Sequence, residues 1–286
     1  MDAGCNTVRQ AVELSAKTEY NLTLEFATMK IRYILPALLA AFLCGSVFAA
    51  DLDRAEVEKR LAAAGKDHPA DLRRKDLTDL DLSNLDFRHA DLWGADLRRA
   101  NFSGSNLSRL NLDLTVMTKI NLSGADLSNA SIFGVSLMNS DLSNANLSGS
   151  RFIANLDRSN LSHANLSHAK WGADMTNQPM GLMRVSLNNV DLSGADLGNA
   201  DLSRALMRHA NLNGARLNHA ILTGVDFSGA DLTNADLSGA DLSGSKLEDA
   251  ELTGANLNGT RLTGISGKAT IKGLDAAKNL QAAIFD

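Results

Sequence analysis

The chain has 286 residues, 44% of them hydrophobic, and carries 28 Lys+Arg against 33 Asp+Glu for a formal net charge of −5. That surplus is too small for a densely anionic surface, and the basic residues are too scattered, without aromatic interleaving, for direct nucleic-acid binding. The only cysteines, Cys5 and Cys44, lie in the first fifty residues, so from Asp51 onward neither a thiol nor a disulfide contributes.

The first recognisable element begins at Met29. Met29-Lys30-Ile31-Arg32 is a short basic stretch, Tyr33 to Phe48 is almost wholly apolar, and Val47-Phe48-Ala49 precedes Ala50-Asp51. A basic start, a short apolar run and small residues at −3 and −1 describe a secretory signal peptide over 29–50, cut near Ala49 or Ala50. Sixteen apolar residues are short for a membrane span, so no stable anchor is expected after cleavage, and the product is expected to be exported, to the periplasm or beyond. Residues 1–28 then read as an upstream mis-assigned start. Leu43 precedes Cys44, which argues against lipidation. Residues 51–69 predict a helical cap: Asp53 as N-cap, Glu56 three residues on, a stripe of Leu52, Val57 and Leu61, and Gly65 and Pro69 as the stop.

From Leu72 to Phe152 every fifth residue is apolar, seventeen in succession. Chance would produce such a run with odds of about one in a million, and a period of five fits neither a helix nor a flat strand. Two residues before most centres stands a small residue, as at Ala90, Ala95, Ala100 and Ser105; one before it usually stands Asp or Asn, as at Asp91, Asp96, Asn101 and Asn106. The two residues after it are polar or glycine, as in Ser103-Gly104. Burying two residues in five and turning after each set winds the chain into a coil, with Asp, Asn, Ser and Gly at the corners, where they suit turns and bond locally to backbone.

A second run of seventeen goes from Leu182 to Leu262. Between the two runs the phase breaks over 153–181: Phe152 to Leu156 and Trp171 to Met175 are steps of four, and Met175 to Leu182 is a step of seven. The deviations sum to zero, which predicts a bend at 153–156 and a loop at 172–181 projecting from one face. Residues 266–286 predict a C-terminal cap, with a short helix from Leu274 to Ile284 closing the last coil through Leu280, Ile284 and Phe285. Open solenoid ends require such caps, and a homodimer through an end cap is the alternative role.

The units Ala90-Asp91-Leu92-Trp93-Gly94 and Ala235-Asp236-Leu237-Ser238-Gly239 resemble those of the pentapeptide-repeat proteins over roughly residues 70–265. The resemblance implies an all-β solenoid, a right-handed quadrilateral parallel β-helix with four pentapeptides per coil. Thirty-nine centres then give nearly ten coils, about 45–50 Å at the spacing of paired strands. Some members of that family mimic DNA and block DNA gyrase. From Asp51 onward, however, 24 Lys+Arg against 29 Asp+Glu, with Arg73-Arg74-Lys75 and Arg98-Arg99 interrupting the acidic columns, make a mixed surface. The favoured reading is an exported, non-enzymatic scaffold or protein-interaction module; a DNA-mimic inhibitor of gyrase or another topoisomerase is the alternative.

Chemistry must come from outward columns, where residues twenty apart stack. His68, His89, His163, His168, His209 and His219 fall where none stacks on another, so no metal or cofactor site is expected. The Asp residues belong to the repeat and define no catalytic set. One column departs from polarity: Trp93, Asp113, Phe133 and Ile153 follow the centres of one face, Leu114 sits beside them, and Val116 and Met138 are nominally outward as well. Trp93, Leu114, Phe133 and Ile153 are therefore the candidate binding residues for a protein partner.

Overall fold

A computed structural model describes residues 52–173 and 184–286, all within one compact unit, Ala50–Asp286. The signal segment at 29–50, residues 1–28 and most of the loop at 172–181 lie outside the described residues. Among the described residues no helix is long and apolar enough to cross a membrane.

The five-residue unit folds as its pattern dictates. Each centre and the small residue two before it are buried, as for Ala95 with Leu97 and Ala235 with Leu237, and the other three positions reach solvent to differing degrees. At each corner the N–H of the small residue donates to the carbonyl of the preceding centre, as Ala95 does to Leu92 at 2.9 Å. The second corner residue has positive φ: Asn84 59°, Gly104 65°, His219 57°. This is a type II turn, which explains the Gly, Asn and polar residues there. The Asp or Asn before the centre is used locally: Asp91 Oδ1 accepts from the Trp93 N–H at 3.1 Å, and Asp191 Oδ1 from the Ser193 N–H at 3.0 Å. Where Ser or Thr replaces the inward Ala, its hydroxyl donates to a backbone carbonyl, as Ser105 does to Leu82 and Thr260 to Leu237. No unsatisfied donor is thereby buried.

Successive coils pair in parallel through the residue before each centre. β1 (Ala70–Asp71) pairs with β2 (Ala90–Asp91), and single bridges such as Asp76↔Asp96 continue the ladder at intervals of twenty residues. Four faces result, and the solenoid is the right-handed quadrilateral β-helix expected. The first face stacks Leu72, Leu92, Leu112, Ile132, Phe152, Trp171, Leu202, Leu222, Leu242 and Leu262, ten rungs whose nine steps span about 43 Å.

The phase break differs from expectation in two respects. Around Phe152 the chain extends rather than bends: β3 (Ser131–Ser136) pairs with β4 (Arg151–Asn155), Phe133 opposite Ile153 and Val135 opposite Ala154. Gly134 alone has no counterpart, so the missing residue at 153 leaves a bulge across one corner. Further on, Asn155 pairs with Ser186 and Lys170 with Asp201, thirty-one residues apart instead of twenty. Leu187 therefore takes the face next after Trp171, and the insertion is eleven residues. The centres expected at 175 and 182 lie outside the described residues. Among the described residues the ladder holds thirty-seven centres, and everything after the loop is rotated two faces from the register that simple counting gives.

Both ends are covered. α1 (Arg54–Ala63) starts at Asp53, whose side chain accepts from the Glu56 N–H at 2.8 Å, and buries Val57 completely, with Leu52 and Leu61 packed on the core. Its arginines occupy the open edge of the first coil: Arg54 Nη1 donates to the Asp81 carbonyl at 2.9 Å, Arg54 Nη2 to that of Ser83 at 3.1 Å, and Arg60 Nη1 to that of Asp71 at 3.0 Å. Carbonyls that would template another strand are thus satisfied. At the other end the solenoid runs past 265. Lys272, Lys278 and Ile284 bridge to Glu251, Asn256 and Arg261 in steps of six, with single 3₁₀ turns at Leu274–Ala276 and Leu280–Ala282 in place of one short helix. Leu280 and Phe285 pack on the core as expected; Ile284 is 45% exposed.

Candidate functional site

The four candidate residues fall on one edge of the solenoid, the corner between the first and second faces. The Trp93 ring is half-buried, with the Arg74 guanidinium 4.8 Å from its centroid. One coil on, Leu114 is 56% exposed and holds φ at 63°, a conformation that a branched apolar side chain rarely adopts. Phe133 is 40% exposed in the next coil, and Ile153 is half-buried in the one after. Val116, 41% exposed, flanks the row; Met138 is half-buried on the next corner. Asp113 is the carboxylate within the row, and its Oδ1 accepts from Ser131 Oγ at 3.5 Å.

The same edge carries the insertion, because Gly172 and Ala173 follow Trp171, a first-face centre. Two features that look separate in the sequence, the apolar column and the loop, therefore meet. Three shallow depressions open along this edge. One lies among Arg73, Arg74 and Trp93; a second, about 230 Å³, among Phe133, Ile153, Arg151, Lys170 and Ala173; a third among Arg184, Arg204 and Thr223. Ile221, 46% exposed and before Leu222 on the first face, belongs to the same side. Counting through Met175 and Leu182 would put it on the opposite face, so the sequence did not reveal it.

The histidines have a use other than exposure to solvent. His163, His209 and His219 stand at positive-φ corners, their rings over Gly194, Gly229 and Gly239 of the next coil. A Cβ at Gly194 would lie 2.6 Å from His163 Nδ1. Among the described residues no group of three or more His, Cys, Asp or Glu is placed to hold a metal ion.

Arginines cancel much of the acidic surface. Arg88 pairs with Asp86 and Arg98 with Asp96, both at 2.6 Å, and Arg99 with Asp79 at 2.5 Å. Arg73 hydrogen-bonds Asp71 and lowers its carboxyl to about 2. Asp226 is the one charged side chain in the buried class among the described residues, 4% exposed. Burial pushes its carboxyl up, but hydrogen bonds from Arg208 (2.7 Å) and Ser228 (2.6 Å), with the charge of Arg208, outweigh burial and leave it below the ordinary carboxylate range.

A four-sided parallel β-solenoid wound from five-residue units is a repeat class of protein. The model of pentapeptide repeats matches eight copies, at residues 81–118, 120–153, 186–224 and 226–264, just over half of the chain. The chain belongs to the pentapeptide-repeat family.

Among solved structures it is similar to HetL, a pentapeptide repeat protein involved in heterocyst differentiation regulation from Nostoc sp. strain PCC 7120. The identity is 35%, over 82% of this chain and 97% of HetL, with a TM-score of 0.39. It is also similar to a pentapeptide repeat protein of the Arabidopsis thaliana thylakoid lumen (37% identity, 34% and 63% of the two chains, TM-score 0.29). Full-length QnrB1, a plasmid-mediated fluoroquinolone resistance protein, shares 20% identity over 74% and 93% of the two chains, with a TM-score of 0.35. Comparison with curated proteins gives no match.

Proposed function

We propose that the chain is an exported, non-enzymatic scaffold that docks a protein partner along the edge carrying Trp93, Leu114, Phe133 and Ile153. The observation that carries this reading is the convergence of the repeat's exceptions: the exposed apolar row, the bulge at Gly134 and the eleven-residue insertion share one corner. Apart from Met138, the other corners keep polar or glycine residues in turns that the fold itself requires. The Asp columns are engaged by local N–H groups and arginines, which favours docking over DNA mimicry. Export rests on the sequence of residues 29–50.

Two measurements test the reading. N-terminal sequencing of the expressed protein should give a start near Ala50; an intact Met1 together with gyrase inhibition would overturn it. A Trp93→Ser/Phe133→Ser double change should leave the far-UV spectrum intact and abolish pull-down of the partner, and unchanged pull-down would refute the docking edge.

A further inference from the structure

We infer that this edge receives an acidic amphipathic helix of its partner. The inference rests on the docking reading above and adds the chemistry and shape of what docks.

Charge supplies the first argument. The molecule is net acidic, yet on this edge, where Arg73 pairs with Asp71 and Asp91, Arg151, Lys170, Arg184 and Arg204 make no ion pair with a carboxylate among the described residues. Arg151 and Lys170 border the depression whose other wall is Phe133 and Ile153; its one carboxylate, Asp201, accepts through Oδ1 from the N–H and hydroxyl of Ser203, so the two cations outnumber it. That depression suits a segment presenting an apolar side chain with a carboxylate beside it.

Spacing supplies the second. Apolar side chains recur on the edge once per coil, about every 4.8 Å. A helix presents one residue per turn about every 5.4 Å, drifting about 2 Å over the three intervals from Trp93 to Ile153. An extended strand presents same-side residues about every 6.7 Å and drifts about 6 Å over the same distance. A helix of roughly ten residues therefore matches the row, anchored at i, i+4 and i+7.

The test uses the full chain and two fluorescein-labelled 18-residue helical peptides. Each carries a Leu stripe, with Glu on the polar face of one and Lys on that of the other. By fluorescence anisotropy the Glu peptide should bind at least tenfold tighter than the Lys peptide. Arg151→Glu/Lys170→Glu should weaken it at least tenfold with the unfolding midpoint unchanged; both side chains are exposed, so the variant should fold. Equal binding of the two peptides, no binding of the Glu peptide, or indifference to the double change overturns the inference. Co-sedimentation with phosphatidylcholine–phosphatidylglycerol vesicles in preference to the Glu peptide overturns it in favour of lipid. If pull-down depends on Trp93 and Phe133 while the Glu peptide fails, the docking edge stands and the acidic helix falls.

Discussion

The indole of Trp171 lies parallel to the ring of Phe152 one coil before it, centroids 4.7 Å apart and planes within 6°, and its Nε1–H donates to Ser150 Oγ at 3.0 Å. Both rings are fully buried on the first face, between the bulge and the insertion. Aromatic volume fills the interior where the coil loses one residue and then gains eleven. Phe87, Phe102 and Phe227 are likewise fully buried centres on regular coils, but no ring there is stacked in parallel on another.

Trp171→Ala should therefore cost about 3–5 kcal/mol, the range for emptying a large aromatic site, and Trp171→Phe markedly less because the stack survives. Urea unfolding followed by circular dichroism measures both. Equal, small losses would show that the rungs flanking the insertion are held by backbone pairing alone.

The ladder of centres made the architecture legible because it repeats: each leucine restates the same instruction, and errors average out. Irregular segments state theirs once. The steps of four, four and seven through Met175 and Leu182 restore the five-residue phase, yet so does an insertion of eleven, and only pairing between coils distinguishes them. The pairs Asn155↔Ser186 and Lys170↔Asp201 do so. Trp93, Leu114, Phe133 and Ile153 precede the insertion, so counting by twenty puts them on one edge; Ile221 and Arg204 follow it, and the same counting puts them on the opposite side. His163, His209 and His219 are exposed at their corners, as outward positions imply, but what their rings cover was not legible. Their contacts are with glycine backbone twenty or thirty-one residues on, which no side-chain pattern announces.

Gly239 and His219 give a test of those contacts. Gly239 has φ +67°, and a Cβ there would meet His219 Nδ1 at 2.5 Å. Gly239→Ala should lose about 1–3 kcal/mol through strain and the clash together. Adding His219→Ser should recover the clash and leave the strain, so the two changes should couple by about 1 kcal/mol in a double-mutant cycle. Simple additivity would mean that the ring swings away without cost.

Acidification should weaken the fold through Asp226. Its folded pKa lies below the ordinary carboxylate value, so its contribution is fully present above about pH 4 and is lost as pH falls through that lowered value. Asp226→Asn, which keeps the shape and removes the charge, should be less stable than the parent at pH 7 and converge towards it near pH 2. Parallel stability curves from pH 7 to pH 2 would show that Arg208 gains nothing from the carboxylate charge.

Leu114 separates stability from docking. Its left-handed backbone costs a non-glycine residue about 1–2 kcal/mol, and more than half of its surface is exposed, so burial returns little. Asn and Gly fill the equivalent corner position elsewhere, at Asn84, Gly94 and Asn144. Leu114→Asn should consequently raise stability by about 1 kcal/mol, read as a higher urea midpoint with unchanged slope. If the edge docks a partner, the same change should weaken pull-down, since the strained leucine is then retained for contact at the expense of the fold. A more stable Leu114→Asn variant that binds its partner unchanged would place the contact elsewhere on the edge.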